Sequence, residues 1–72
     1  MNKAEVEQAM NAGKTVRHDS FDHDEYIYKI DGTIYDENDF KMEILTPNGV
    51  VDFWTDRQGP EWNEGWSIVT QK

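Results

Sequence analysis

Seventy-two residues carrying fifteen acidic and seven basic side chains make one small domain with a net charge of −8. That balance argues against direct nucleic-acid binding, which needs Lys and Arg to neutralise phosphates, and against anionic membrane surfaces. With no cysteine, disulfides and Cys-based zinc sites are excluded.

A single core of this size supplies only about 3–5 kcal/mol, so oligomerisation is the remaining route to more buried area. No apolar stretch is long enough for a signal peptide or a membrane span, and Lys3 is followed closely by Glu5. The expected location is the cytoplasm.

Residues 2–12, NKAEVEQAMNA, predict a helix of about three turns. Asn2 is the expected N-cap and Glu5, three residues on, completes a capping box. Val6, Ala9 and Met10 share one face. Gly13 is the expected left-handed stop, and Lys14 suits the negative end of the helix dipole.

Beyond Gly13 the pattern becomes strand-like. TVRH (15–18) is a short extended segment. YIYKI (26–30) and TIY (33–35) flank Asp31-Gly32, a strong hairpin signal that sets Tyr28 opposite Tyr35 and Lys29 opposite Ile34. DENDF is a polar connection. FKMEIL (40–45) and VVDFW (50–54) flank TPNG, a second turn. WSIVT (66–70) is the last strand. The pattern predicts an α+β fold, with one N-terminal helix packed on an antiparallel sheet of four to six short strands.

In the second hairpin, placing Thr46 opposite Val50 puts Met42 opposite Trp54, with Ile44 on the same side. Leu45, Val51 and Phe53 then lie on the other side. One helix covers only one such face. The second must meet the long loops, a partner subunit or a ligand, and a homo-oligomer is the expectation.

All three tryptophans lie in FWTDRQGPEWNEGW (53–66). Trp54 reads as core, Trp62 sits in a turn-rich run that no strand pattern buries, and Trp66 can serve either side. No phosphate-cradling glycine loop or nucleophile elbow is present, so no catalytic residues are assigned. His18, Asp22, His23 and Asp24 match no metal-ligand spacing, and neither metal nor cofactor is expected.

Two groupings point to binding. Lys14, Arg17 and His18 lie near the helix end with Phe21 beyond, and Arg57 sits among the tryptophans. Aromatic faces stack on planar bases and guanidinium forks match phosphate oxygens, which fits a pocket for a small planar anion. Spacing leaves a second role open for Arg17, as the partner of a neighbouring carboxylate. The other grouping is acidic: between Asp19 and Asp39 lie eight acids and one base, Lys29. That segment is either a solvated face or an imitation of nucleic acid that occupies a basic cleft on a host nucleic-acid-handling or defence protein. The second alternative would use Asp31, Asp36, Glu37 and Asp39, carboxylates on a strand recurring roughly every 6.6–6.8 Å.

The stretches EVEQAMNAGKTVRHDSF, EYIYKIDG and EGWSIV resemble the second described type of phage anti-Thoeris protein, a family of nucleotide sponges. The matching positions are Gly13, Lys14, Val16, Arg17, His18, Phe21, Tyr26, Ile27, Trp66, Ile68 and Val69. Phe21 stands where that family often has tryptophan, and His18 where it often has a second Arg or Lys. The resemblance implies an oligomer in the host cytoplasm that sequesters cyclic ADP-ribose signals or cyclic dinucleotides without catalysis. Combined with the aromatic–arginine clustering, it gives Arg17, His18, Phe21, Tyr26, Trp54, Arg57, Trp62 and Trp66 as the expected ligand-binding set.

Overall fold

The computed structural model describes residues 1–69. Helix α1 (Lys3–Asn11) starts at the expected cap: Asn2 Oδ1 accepts from the Glu5 N–H at 2.9 Å, and Glu5 Oε1 accepts from the Asn2 N–H at 2.8 Å. It ends in a Schellman motif. Gly13, at φ 87°, donates to the Met10 carbonyl while Lys14 donates to that of Ala9, both at 3.0 Å. Val6 and Met10 face inward and are fully buried.

Strands β1 (Thr15–His18), β2 (Ile27–Ile30), β3 (Thr33–Asp36) and β6 (Trp66–Val69) form an antiparallel sheet in the order β3-β2-β1-β6. The β2–β3 turn places Asp31 and Gly32 at φ 51° and 83°, the pair of positive angles that a tight hairpin requires. Its register is the expected one, with Tyr28 opposite Tyr35 and Lys29 opposite Ile34. Strand β6 returns along the full length of β1 and sets Trp66 opposite His18. Helix α1 packs on β1 and β2. The core between them holds Val6, Met10, Val16, Ile27, Ile34, Phe53, Trp54 and Trp66. The fold is α+β, and Thr70, expected to end the last strand, lies outside the described residues.

The second hairpin differs from its expected form. Strands β4 (Ile44–Thr46) and β5 (Gly49–Val51) are three residues each and form a separate two-stranded sheet. Thr46 faces Gly49 rather than Val50, so Leu45 lies opposite Val50 and Ile44 opposite Val51. The flanking residues are claimed elsewhere. The Met42 N–H bonds to the Ile34 carbonyl at 2.8 Å, alongside the β3 edge. Asp52 Oδ1 accepts from the N–H groups of Trp54 (3.0 Å) and Thr55 (3.1 Å) and turns the chain. Phe53 and Trp54 therefore both enter the core instead of alternating across a strand. Among the described residues no helix is long and apolar enough to cross a membrane.

Candidate functional site

Phe21, Trp62 and Trp66 assemble around a buried histidine. His18 is only 5% exposed, with its ring 4.3 Å from that of Trp62 and 5.0 Å from that of Trp66. The Ser20 N–H donates to Nδ1 at 3.0 Å, which makes Nδ1 an acceptor and assigns the proton to Nε2. Nε2 faces the carbonyls of Glu61 (3.0 Å) and Glu64 (2.8 Å). One imidazole thus ties the 3₁₀ turn Pro60–Asn63 to strand β1. The Trp66 indole N–H donates to the Trp62 carbonyl at 2.8 Å and adds a second tie.

In front of this support lies a cleft of about 420 Å³, lined by Lys3, Trp54, Arg57, Gln58, Gly59, Trp62 and Asn63. Both cations and the Trp54 indole there are held by neighbouring groups, and Gln58 Nε2 donates to the Thr55 carbonyl at 3.0 Å. The Arg57 guanidinium lies 4.2 Å from the centre of the Phe53 ring and 5.6 Å from that of Trp62. Its Nη1 donates to the Phe53 carbonyl at 2.9 Å, and it makes no other side-chain hydrogen bond among the described residues. Lys3 Nζ sits 5.1 Å from the Trp54 ring. Trp54 is fixed in turn, its Nε1–H donating at 2.6 Å to Glu7, which also pairs with Lys29.

The lining is unlike the rest of the molecule. It brings together two cations, the half-buried indole of Trp62, the largely buried indole of Trp54 and two carboxamides, with the Glu61 carboxylate against Gly59 the acid beside it, in a chain with fifteen acids. Such a surface stacks a planar ring and supplies charge-assisted donors to an anion beside it.

The expected ligand-binding residues separate into three groups. Trp54, Arg57 and Trp62 line the cleft. His18, Phe21 and Trp66 pack behind it; Phe21 lies 5.7 Å from Trp66 and 6.4 Å from Trp62. Arg17 and Tyr26 lie outside its lining. Arg17 alternates with His18 on β1 and so points to the other side of the sheet. There its Nη2 donates to the carbonyls of Phe21 (3.2 Å) and Asp22 (3.3 Å), not to a carboxylate. Tyr26 is half-buried just ahead of β2.

Lys3, Gln58 and Asn63 escaped the sequence reading. Gln58 and Asn63 share the turn-rich run of Trp62 and were legible by proximity. Lys3 gave no signal, because only the folded helix brings it to Trp54.

The acidic candidates are engaged locally. Asp31 occupies the β2–β3 turn. Asp36 Oδ1 accepts from the N–H groups of Asn38 (2.9 Å) and Phe40 (3.0 Å), and Asp39 accepts the Tyr28 hydroxyl. That hydrogen bond to a carboxylate, with lesser contributions from desolvation and the Asp39 charge, pushes the Tyr28 phenol up to about 12. Asp36 ends β3, and Glu37 and Asp39 follow in a turn, so these three carboxylates do not recur along one strand. His23 pairs at 3.3 Å with Asp24 on the open surface.

No protein-family model, curated protein or solved structure matches the chain.

Proposed function

We propose that this protein is a phage anti-defence sponge that captures a small, planar, anionic nucleotide signal in the host cytoplasm and holds it unaltered. The observation that carries this is the cleft between Lys3, Trp54, Arg57 and Trp62, a cationic and aromatic lining in a protein of net charge −8. A base stacks on an indole whatever its identity. Phosphate oxygens take the free donors of the Arg57 fork and the Lys3 ammonium. Arg57 is already stacked and hydrogen-bonded before a ligand arrives, which lowers the ordering cost of binding.

The volume of about 420 Å³ lies within the range of small-molecule sites. The acidic surface opposes an approaching anion, but salt screens that repulsion beyond about 8–10 Å under physiological conditions. The likeness of the opening and closing segments to anti-Thoeris sponges directs the choice of ligand to cyclic ADP-ribose isomers and cyclic dinucleotides. Sequestration requires only retention, so no catalytic set is invoked.

Tryptophan fluorescence tests this directly, since two of the three indoles line the cleft. Titration with these nucleotides is expected to quench emission to saturation in the native protein, with the response lost in Arg57→Ala. A flat titration with every nucleotide, or an unchanged curve in the variant, would remove the cleft as the site.

A further inference from the structure

We propose that Glu43 and Asp52 form a sugar subsite, which accepts the free cis-diol of a ribose carried beyond the phosphates of the captured nucleotide; the subsite rests on the capture function proposed above. A second cleft, of about 430 Å³, adjoins the first, and Lys3 and Trp54 belong to both linings. Its other polar groups are the carboxylates of Glu7, Glu43 and Asp52 and the Lys29 ammonium, set among apolar side chains that include Ile34 and Phe53.

Two of these groups are already engaged: Glu7 accepts the Trp54 indole N–H at 2.6 Å and pairs with Lys29. The other two keep free capacity. Glu43 is half-buried and has no hydrogen-bond or ion-pair partner among the described residues. Asp52 commits Oδ1 to the N–H groups of Trp54 and Thr55 and to the Thr55 hydroxyl, which fixes the carboxylate and leaves Oδ2 unpartnered among the described residues.

An ionised carboxylate accepts hydrogen bonds and donates none, so the complement is a group presenting several donors. A ligand cation is disfavoured, because Lys3 and Lys29 already place two ammoniums in this lining. A ribose diol is neutral and offers two adjacent hydroxyls. Acidic side chains take ribose hydroxyls in this manner in dinucleotide-binding folds. The sequence of groups across the clefts gives the ligand class. Trp62 stacks a base, Arg57 and the shared Lys3 take phosphate, and Glu43 and Asp52 follow in the second cleft. That order suits a nucleotide bearing a sugar beyond its phosphates. Cyclic ADP-ribose carries such a sugar with both hydroxyls free. In a 3′,5′-linked cyclic dinucleotide each ribose spends its 3′ oxygen in a phosphodiester, and no diol remains.

The test is isothermal titration calorimetry with cyclic ADP-ribose and a 3′,5′-linked cyclic dinucleotide, on the native chain, Glu43→Gln, Asp52→Asn and Arg57→Ala. Glu43→Gln breaks no bond in the free protein, so its urea midpoint should not move. Asp52→Asn keeps the Oδ1 acceptor that turns the chain. Each of these two substitutions should weaken cyclic ADP-ribose about 10-fold, a charge-assisted hydrogen bond giving way to a neutral one. Any affinity for the dinucleotide should stay level or rise. Carboxylates that merely repelled phosphate would give the opposite sign, with both ligands bound more tightly once the charge is gone. Cyclic ADP-ribose held as tightly or more tightly by Glu43→Gln and Asp52→Asn, yet lost by Arg57→Ala, would overturn the sugar subsite and leave capture in the first cleft standing. A native chain that binds the dinucleotide alone would do the same, and one that binds neither ligand would overturn both.

Discussion

The guanidinium of Arg57 lies 4.2 Å from the centre of the Phe53 ring while its Nη1 donates to the carbonyl of that same residue. One face of the cation is thereby committed to the core and the rest of its fork is left to the cleft. Replacing Arg57 by Ala should weaken ligand binding by about 10- to 100-fold, the worth of one or two charge-assisted hydrogen bonds. Stability should fall by only about 1 kcal/mol, from the lost cation–π contact. Arg57→Lys keeps the charge but not the planar fork, and its affinity should fall between the two. Isothermal titration calorimetry together with urea unfolding separates the two effects.

His18 supports the cleft from behind. Its removal leaves the Glu61 and Glu64 carbonyls without their donor and opens a hole between Trp62 and Trp66. His18→Ala should cost about 2–3 kcal/mol, a large share of what so small a core supplies. Urea unfolding followed by tryptophan emission measures it. A loss below about 0.5 kcal/mol, the scale of an ordinary surface substitution, would contradict the keystone role.

Glu7 joins helix to loop by accepting the Trp54 indole N–H and pairing with Lys29. Glu7→Ala strands both donors and should destabilise by about 1–3 kcal/mol. Trp54 is then free to move in the cleft wall, so ligand affinity should fall as well. Glu7→Gln, which still accepts a hydrogen bond, should recover part of each loss.

Tyr28 gives a pH signature. Its phenol titrates at about 12 in the folded protein because the neutral form donates to Asp39, against an ordinary value of about 10. A folded-state pKa raised in this way contributes stability that is fully present below about pH 10 and lost as the pH rises through about 12. Phenolate absorbance should therefore show one tyrosine titrating later than the others. Asp39→Asn should bring it back towards the ordinary value; an unshifted titration in that variant would exclude Asp39 as the cause.

Local chemistry in the chain is legible from sequence, and long-range placement is not. Asn2 with Glu5, Gly13, and Asp31-Gly32 each announce a cap, a stop or a turn through their own backbone needs, and the pairing of Tyr28 with Tyr35 follows from the turn alone. The second hairpin defeats the same logic. Met42 is captured by Ile34 and the Asp52 side chain bends the chain at Trp54, and neither competing partner is visible in a strand pattern. The cleft is half legible. Trp54, Arg57 and Trp62 stand out by clustering, whereas Lys3 joins them only after the helix has docked. Arg17 and Arg57 look equivalent in sequence, yet strand alternation turns Arg17 to the opposite face.

Native mass spectrometry of the protein mixed with cyclic ADP-ribose isomers and cyclic dinucleotides puts capture to the sharpest test. The expected result is one of these nucleotides retained intact, released with unchanged mass on heating, and not retained by Arg57→Ala. Retention of none of them, release of a cleaved product, or equal retention by Arg57→Ala would contradict a sponge built on this cleft.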